Sequence, residues 1–132
     1  MAKVDGRELA AIFVGGAIGA VLRVWLGITL ASGGAHWPWT TFIVNTTGAL
    51  ALAYFATRLQ ERLPLSTYKR PLLGTGFCGT YTTFSTMQVE ILVLIDHHRY
   101  GVAVGYGLAS IAVGYLAIWA ATALVRRSRV LV

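Results

Sequence analysis

Gly74-Thr75-Gly76-Phe77-Cys78-Gly79-Thr80-Tyr81-Thr82-Thr83-Phe84-Ser85-Thr86-Met87 (GTGFCGTYTTFSTM) is the least helix-friendly stretch of a chain that is otherwise mostly apolar. Gly74, Gly76 and Gly79 each disfavour helix by about 1 kcal/mol relative to Ala. Thr80, Thr82 and Thr83 add β-branched stiffness and hydroxyls that compete for backbone hydrogen bonds. The surroundings decide how the stretch is read. Of 132 residues, 56% are hydrophobic and 12% charged, against about 25% charged in an ordinary soluble domain. That deficit points to lipid as the solvent. Irregular backbone at membrane depth is tolerated only inside protein or beside a water-filled cavity. The stretch therefore predicts a membrane helix broken near Gly76 to Thr82 and buried in protein, with freed carbonyls able to hold a cation, as broken helices at ion and substrate sites do.

Working outward, four stretches are long and apolar enough to span as helices: about 9–31, 40–57, 71–95 and 101–125. They make residues 1–132 one all-α, four-span membrane domain. The first apolar run is too long for a cleavable signal peptide and carries Arg23. Trp37, Trp39, Tyr68 and Tyr100 fall at span ends, where amphipathic rings favour the interface. Lys3, Arg7, Arg58, Arg62, Lys69, Arg70, Arg126, Arg127 and Arg129 share one side, and outside the spans the other side has Arg99 alone. This bias places both termini in the cytoplasm. A formal charge of +6 distributed this way forms no basic face with interleaved aromatics, which argues against nucleic-acid binding. The single cysteine, Cys78, excludes an intrachain disulfide and a cysteine-based zinc cluster, and reads as a small buried side chain.

Small residues four apart, Gly15 and Gly19 in the first span and Gly101, Gly105 and Ala109 in the fourth, mark close helix approach. Polar residues inside the spans each need a partner. Asn45 lies in the second span one turn after Thr41; it reads either as interhelical glue or as a functional amide. Arg23 either snorkels to the outer interface or draws anions into a vestibule. Beyond the break, Thr83, Thr86 and Glu90 follow an i, i+3, i+7 pattern, one polar stripe on a helix, with Phe84 and Met87 beside it. The bland reading is a hydroxyl-rich helix interface. The sharper one is a narrow pore wall of hydroxyl donors and an aromatic ring. Packing alone does not require a broken helix followed at once by a polar stripe, so the pore is favoured. Glu90 is about 8 Å from the span end at 1.5 Å per residue, within reach of a vestibule.

GGAIGAVLR (Gly15 to Arg23), PWTTFIVNTTG (Pro38 to Gly48) and TGFCGTYTTFST (Thr75 to Thr86), in this order, carry a resemblance to the Fluc (CrcB-type) fluoride ion channels that covers nearly the whole chain. The resemblance implies an antiparallel, inverted-topology dimer with two narrow fluoride pores and a central structural sodium ion (Na+) in the bacterial plasma (inner) membrane, relieving fluoride toxicity. It implies that Asn45 is the pore amide, that Phe84 offers its ring edge to the anion, and that Ser85, Thr86 and Ser110 supply hydroxyls. Gly79 and Thr82 are expected to give backbone carbonyls to sodium, and Arg23 to stand in the vestibule, where the spacing above also puts Glu90. Three positions depart from the family pattern. Met87 stands where a second pore phenylalanine is usual, Thr80 replaces a glycine, and Gly114 replaces a frequent serine. The charge bias is a fourth departure. It suits the family's paired form, in which two subunits of fixed and opposite topology assemble, so the expected partner is either a second copy or an inverted paralogous subunit.

Three rival readings weigh less. A small multidrug-resistance-type exporter, also four spans and antiparallel, needs a carboxylate deep in the first span; Glu8 precedes that span and no acid follows until Glu61. A non-conducting assembly subunit explains Met87 but not the retained hydroxyls. An enzyme has no support: Asp96, His97 and His98 form a short loop with no convergent nucleophile. No nucleotide-binding loop is present to drive pumping, so transport is expected to be passive.

Overall fold

The computed structural model describes residues 3–30, 36–61 and 68–128, without the side chains of residues 60 and 61. Ala31, at the end of the first expected span, and Arg62 and Arg129 of the charge count lie outside the described residues. The described chain is all-helical: α1 (Gly6–Thr29), α2 (Trp39–Glu61), a π-helical segment (Pro71–Cys78) running into the short α3 (Gly79–Tyr81), then α4 (Phe84–Asp96) and α5 (Tyr100–Arg127). Asp5 caps α1, its Oδ1 accepting from the Arg7 N–H at 2.9 Å. His98, in the left-handed region at φ 57°, turns the chain from α4 into α5. His is one of the residues that tolerate that region best.

Two helix pairs organise the molecule: α1 packs chiefly on the π segment, and α2 chiefly on α5. The first pair is made possible by glycine. A side-chain carbon at Gly15 would run into the Leu72 carbonyl, and one at Gly19 into the Phe77 carbonyl and the Thr80 hydroxyl. One at Gly76 would lie 2.6 Å from the Ile12 carbonyl oxygen. Backbone thus meets backbone, as the spacing of Gly15 and Gly19 predicts. In the fourth span the same pattern is used less closely. A carbon at Gly105 would only touch the Trp37 ring at 3.7 Å, and one at Gly101 would meet nothing.

The glycines at 74 and 76 do not themselves end the helix. The backbone widens there into π geometry, with the Gly79 N–H shared between the Gly74 and Gly76 carbonyls. Such widening is uncommon and tends to occur at functional sites. The Thr80 hydroxyl ties this segment to α1 by donating to the Gly16 carbonyl at 2.6 Å. Thr80→Ala is therefore expected to lower stability by about 1 kcal/mol, with Thr80→Ser retaining most of it. Thermal unfolding of the detergent-solubilised protein measures this.

An apolar cluster of Leu94, Ala103 and Tyr106, joined by Trp37, Phe42, Met87, Ile91 and Val102, packs α4 and the start of α5 against the start of α2. Trp37 meets Phe42 and Tyr106 edge-on, at centroid distances of 5.5 and 5.6 Å. Outside these contacts many large apolar side chains are exposed along the helices. Phe13 on α1 is 78% exposed and Ile111 on α5 is 71% exposed. Both helices, at 24 and 28 residues, are long and apolar enough to cross a membrane. Exposed apolar surface on this scale suits lipid or a protein partner.

Candidate functional site

Helical geometry stops at Tyr81 and resumes at Phe84. Thr82 (φ −79°, ψ 154°) and Thr83 (φ −148°, ψ 109°) are extended. The interruption thus falls at the C-terminal edge of the stretch expected to break, and hydrogen bonds on both sides hold it. The Thr82 N–H and hydroxyl both donate to the Cys78 carbonyl, at 3.1 and 2.9 Å. Thr83 is the N-cap of α4: its hydroxyl oxygen accepts from the Thr86 N–H at 3.2 Å while donating to the Thr86 hydroxyl at 2.9 Å.

The decisive contact comes from α2. The Asn45 side chain accepts from the Thr83 N–H at 2.8 Å and donates to the Thr83 carbonyl at 3.0 Å. One planar amide therefore satisfies both backbone groups of a single buried residue. Two further α2 residues meet the same region. The Thr47 and Tyr81 hydroxyls lie 2.9 Å apart, and Gly48 leaves room for the Thr82 methyl, which any side chain there would strike. Tyr81 in turn stacks on Phe77 at 5.5 Å.

Next to this junction lies a cavity of about 430 Å³ whose lining includes Arg23, His36, Thr41, Thr83, Thr86 and Glu90. The polar stripe Thr83, Thr86 and Glu90 lies entirely on this one cavity. Glu90 is fixed at both oxygens: Oε1 accepts from the Thr41 hydroxyl at 2.7 Å and Oε2 from the Tyr106 hydroxyl at 2.9 Å. Thr41 is buried and Tyr106 fully so. The carboxylate is therefore held to one side of the cavity, which it shares with the Arg23 cation.

The structure brings Arg23, Thr86 and Glu90 together on this cavity and sets Asn45 behind it through Thr83. Phe84 and Ser85 open α4 on its outer surface; Phe84 is 70% exposed, and the Ser85 hydroxyl lies 3.4 Å from that of Thr83. Met87 faces the apolar cluster instead of the cavity. Ser110 on α5 has a buried hydroxyl with no partner among the described residues. Gly79 and Thr82 flank the interruption. Sequence reasoning missed Tyr106 as a Glu90 partner, because a tyrosine in an apolar span carries no distinguishing signal. His36 was also missed, being indistinguishable from an ordinary loop residue.

Residues 10–122 match the family described as "CrcB-like protein, Camphor Resistance (CrcB)". The chain is 60% identical, over 98% of each chain, to "Fluoride-specific ion channel FluC 1" of Mycolicibacterium paratuberculosis. It is 56% identical over 96% of each to a protein of the same name in Mycobacterium bovis. It is 41% identical to "Fluoride-specific ion channel FluC" of Oceanobacillus iheyensis, covering 82% of this chain and 83% of that one.

Proposed function

Because the chain belongs to the CrcB-like family, in which its relatives are named as ion channels and not as enzymes, we propose that it is a passive, fluoride-selective membrane channel that lets fluoride leave the cytoplasm. The observation that carries this reading is the Asn45 amide locked onto Thr83 beside a cavity lined by hydroxyls and one arginine.

Fluoride is small and strongly hydrated, so a selective path must replace water with close donors. An asparagine amide has two N–H donors. One of Asn45's goes to the Thr83 carbonyl, and the other is the group we assign to the anion. The exposed Phe84 ring presents an edge, the positive end of its quadrupole. Ser85, Thr86 and the Ser110 hydroxyl, which has no partner among the described residues, continue the donor track. Met87, packed on the apolar cluster, backs it from behind and offers the ion no ring edge. Arg23 concentrates anions in the cavity that serves as vestibule, and Glu90, tied back by Thr41 and Tyr106, borders it. Cations set back from the narrowest point raise the local anion concentration without binding the ion too tightly to leave.

The residues at the interruption also fit a structural sodium ion. The Thr83 N–H, which a continuous helix would donate to the Gly79 carbonyl, goes to Asn45 instead. Thr82 is extended, which takes its carbonyl out of the helical ladder. Neutral carbonyls released in this way suit a hard monovalent cation, and Gly79 and Thr82 are the residues we assign to it. Phe84 and Ser85 lie on the outside of the chain, so the pore is completed by a second, inverted subunit in an antiparallel dimer. The one-sided Lys and Arg distribution favours a fixed topology in the bacterial inner membrane, with the termini cytoplasmic and an inverted paralogous subunit as partner. Relatives with the numbered names FluC 1 and FluC 2 are in keeping with that.

The test is reconstitution of the purified chain in liposomes, alone and with an inverted paralogue, with fluoride and chloride efflux followed in parallel. Fast fluoride release with chloride retained is expected in at least one of the two preparations. Equal release of both ions overturns the selective-pore reading. Release of neither ion in both preparations leaves the chain a non-conducting subunit.

A further inference from the structure

A groove between α2 and the π segment takes no part in the pore. Leu52, Phe55, Ala56 and Leu59, at i, i+3, i+4 and i+7 on one face of α2, line it together with Arg70, Gly74 and Thr75. Its volume is about 260 Å³, and from Leu52 to Leu59 it runs for about 10 Å at 1.5 Å per residue. Gly74 lies on its floor, where a side-chain carbon would make only ordinary contact with Leu52 at 3.9 Å. The long wall is therefore apolar, and the only charge among its described lining residues is Arg70, immediately before Pro71. Lys69 and Arg70 are exposed. Exposed Arg58, one residue before Leu59, holds its guanidinium over the Tyr54 ring at 5.8 Å and donates to the Tyr54 hydroxyl at 3.1 Å.

We propose that this groove is a binding site for one anionic phospholipid, with an acyl chain lying along Leu52 to Leu59 and the phosphate meeting Arg70. The argument is charge complementarity on an apolar slot. An apolar helix of a second subunit gains the slot but nothing from Arg70, and a zwitterionic lipid brings a phosphate already offset by its own cation, whereas a headgroup of net negative charge gains the slot and the full attraction of Arg70 with exposed Lys69 beside it. Basic residues clustered at the membrane surface favour anionic lipids in this way. The slot ends at the level where those charges begin, so tail and headgroup are satisfied by one molecule.

The site is tested on the purified full-length chain in detergent, titrated with phosphatidylglycerol and with phosphatidylcholine of the same acyl chains. Bound lipid is counted by native mass spectrometry and the unfolding temperature is followed. Phosphatidylglycerol is expected to be retained about fivefold or more over phosphatidylcholine, and Arg70→Gln to remove about that factor. Ala56→Trp, which fills the slot, is expected to reduce retention of both lipids. Arg70 is exposed, so its replacement reports even where the bulky variant fails to fold. Equal retention of the two lipids by the native chain overturns the proposal, as does phosphatidylglycerol retention unchanged in Arg70→Gln. Displacement of the lipid by inorganic phosphate alone also overturns it, leaving a free-phosphate site. If Ala56→Trp shifts the monomer–dimer balance without altering lipid retention, the groove is a subunit contact and the proposal falls. None of these readouts involves fluoride movement, so the lipid site and the channel reading stand or fall separately.

Discussion

Asn45→Asp is expected to reduce fluoride efflux by about a thousandfold in liposomes, measured per folded protein because the Thr83 carbonyl also loses its donor. The substitution keeps the shape of the side chain and the oxygen that accepts from the Thr83 N–H. It removes the donor to the Thr83 carbonyl and places an anionic oxygen where the proposed reading puts the anion-binding N–H. Two like charges about 4 Å apart repel by roughly 4 kcal/mol at an effective dielectric of 20, and each 1.36 kcal/mol added to a barrier is a factor of ten in rate. Asn45→Ala separates the two functions of the residue. It introduces no charge but leaves the Thr83 N–H and carbonyl without partners, at about 1–3 kcal/mol for each buried group. Its main effect is therefore expected in the unfolding temperature. Native-like efflux by the Asp variant would remove Asn45 from the ion path and leave it a brace on the helix interruption.

The difference between those variants also shows what the sequence could and could not reveal. The all-helical architecture was legible because long apolar runs admit few alternatives, and the bounds of α1 and α5 lie within three residues of those expected. The contact between α1 and the third stretch was legible in part, since Gly15 and Gly19 on one helix face have few uses other than close approach. The position of the interruption was not. Glycine propensity pointed to Gly76 as its start, but a local preference of about 1 kcal/mol is readily overridden by packing. Gly76 is pressed against Ile12 and Gly16 of α1 and stays helical in a widened form. The backbone leaves the helix where a residue 38 positions away in sequence, Asn45, takes over the Thr83 hydrogen bonds. Sequence marked both partners as polar residues inside spans without indicating that they meet. The same holds for Glu90. Its place on a polar stripe was visible in the spacing, whereas its fixation by Thr41 and Tyr106 depends on α2 and α5 packing beside α4.

Gly15→Val is expected to prevent recovery of a folded, monodisperse protein, an effect larger than that of any single polar change in the cavity. Even the first carbon of a side chain at this position collides with the Leu72 backbone carbonyl and lies 3.1 Å from the Phe77 backbone nitrogen. A flexible side chain could swing away, but these are main-chain atoms of a segment already in π geometry, which has little room to shift. Relief requires α1 to separate from the Pro71–Cys78 segment. That separation removes the Thr80 to Gly16 hydrogen bond and the contact of Gly76 with Ile12, and it displaces the segment that positions Tyr81, Thr82 and Thr83 against α2. Overpacking of a tight contact typically costs about 1–3 kcal/mol and occasionally more, and here it acts at the seam joining one helix pair to the interruption. Gly27→Val on the same helix is the control, because a side-chain carbon there meets nothing within 4 Å, and it is expected to behave like the native chain in size-exclusion chromatography and thermal unfolding. Equal recovery of both variants would mean that α1 does not need backbone-to-backbone contact with the π segment.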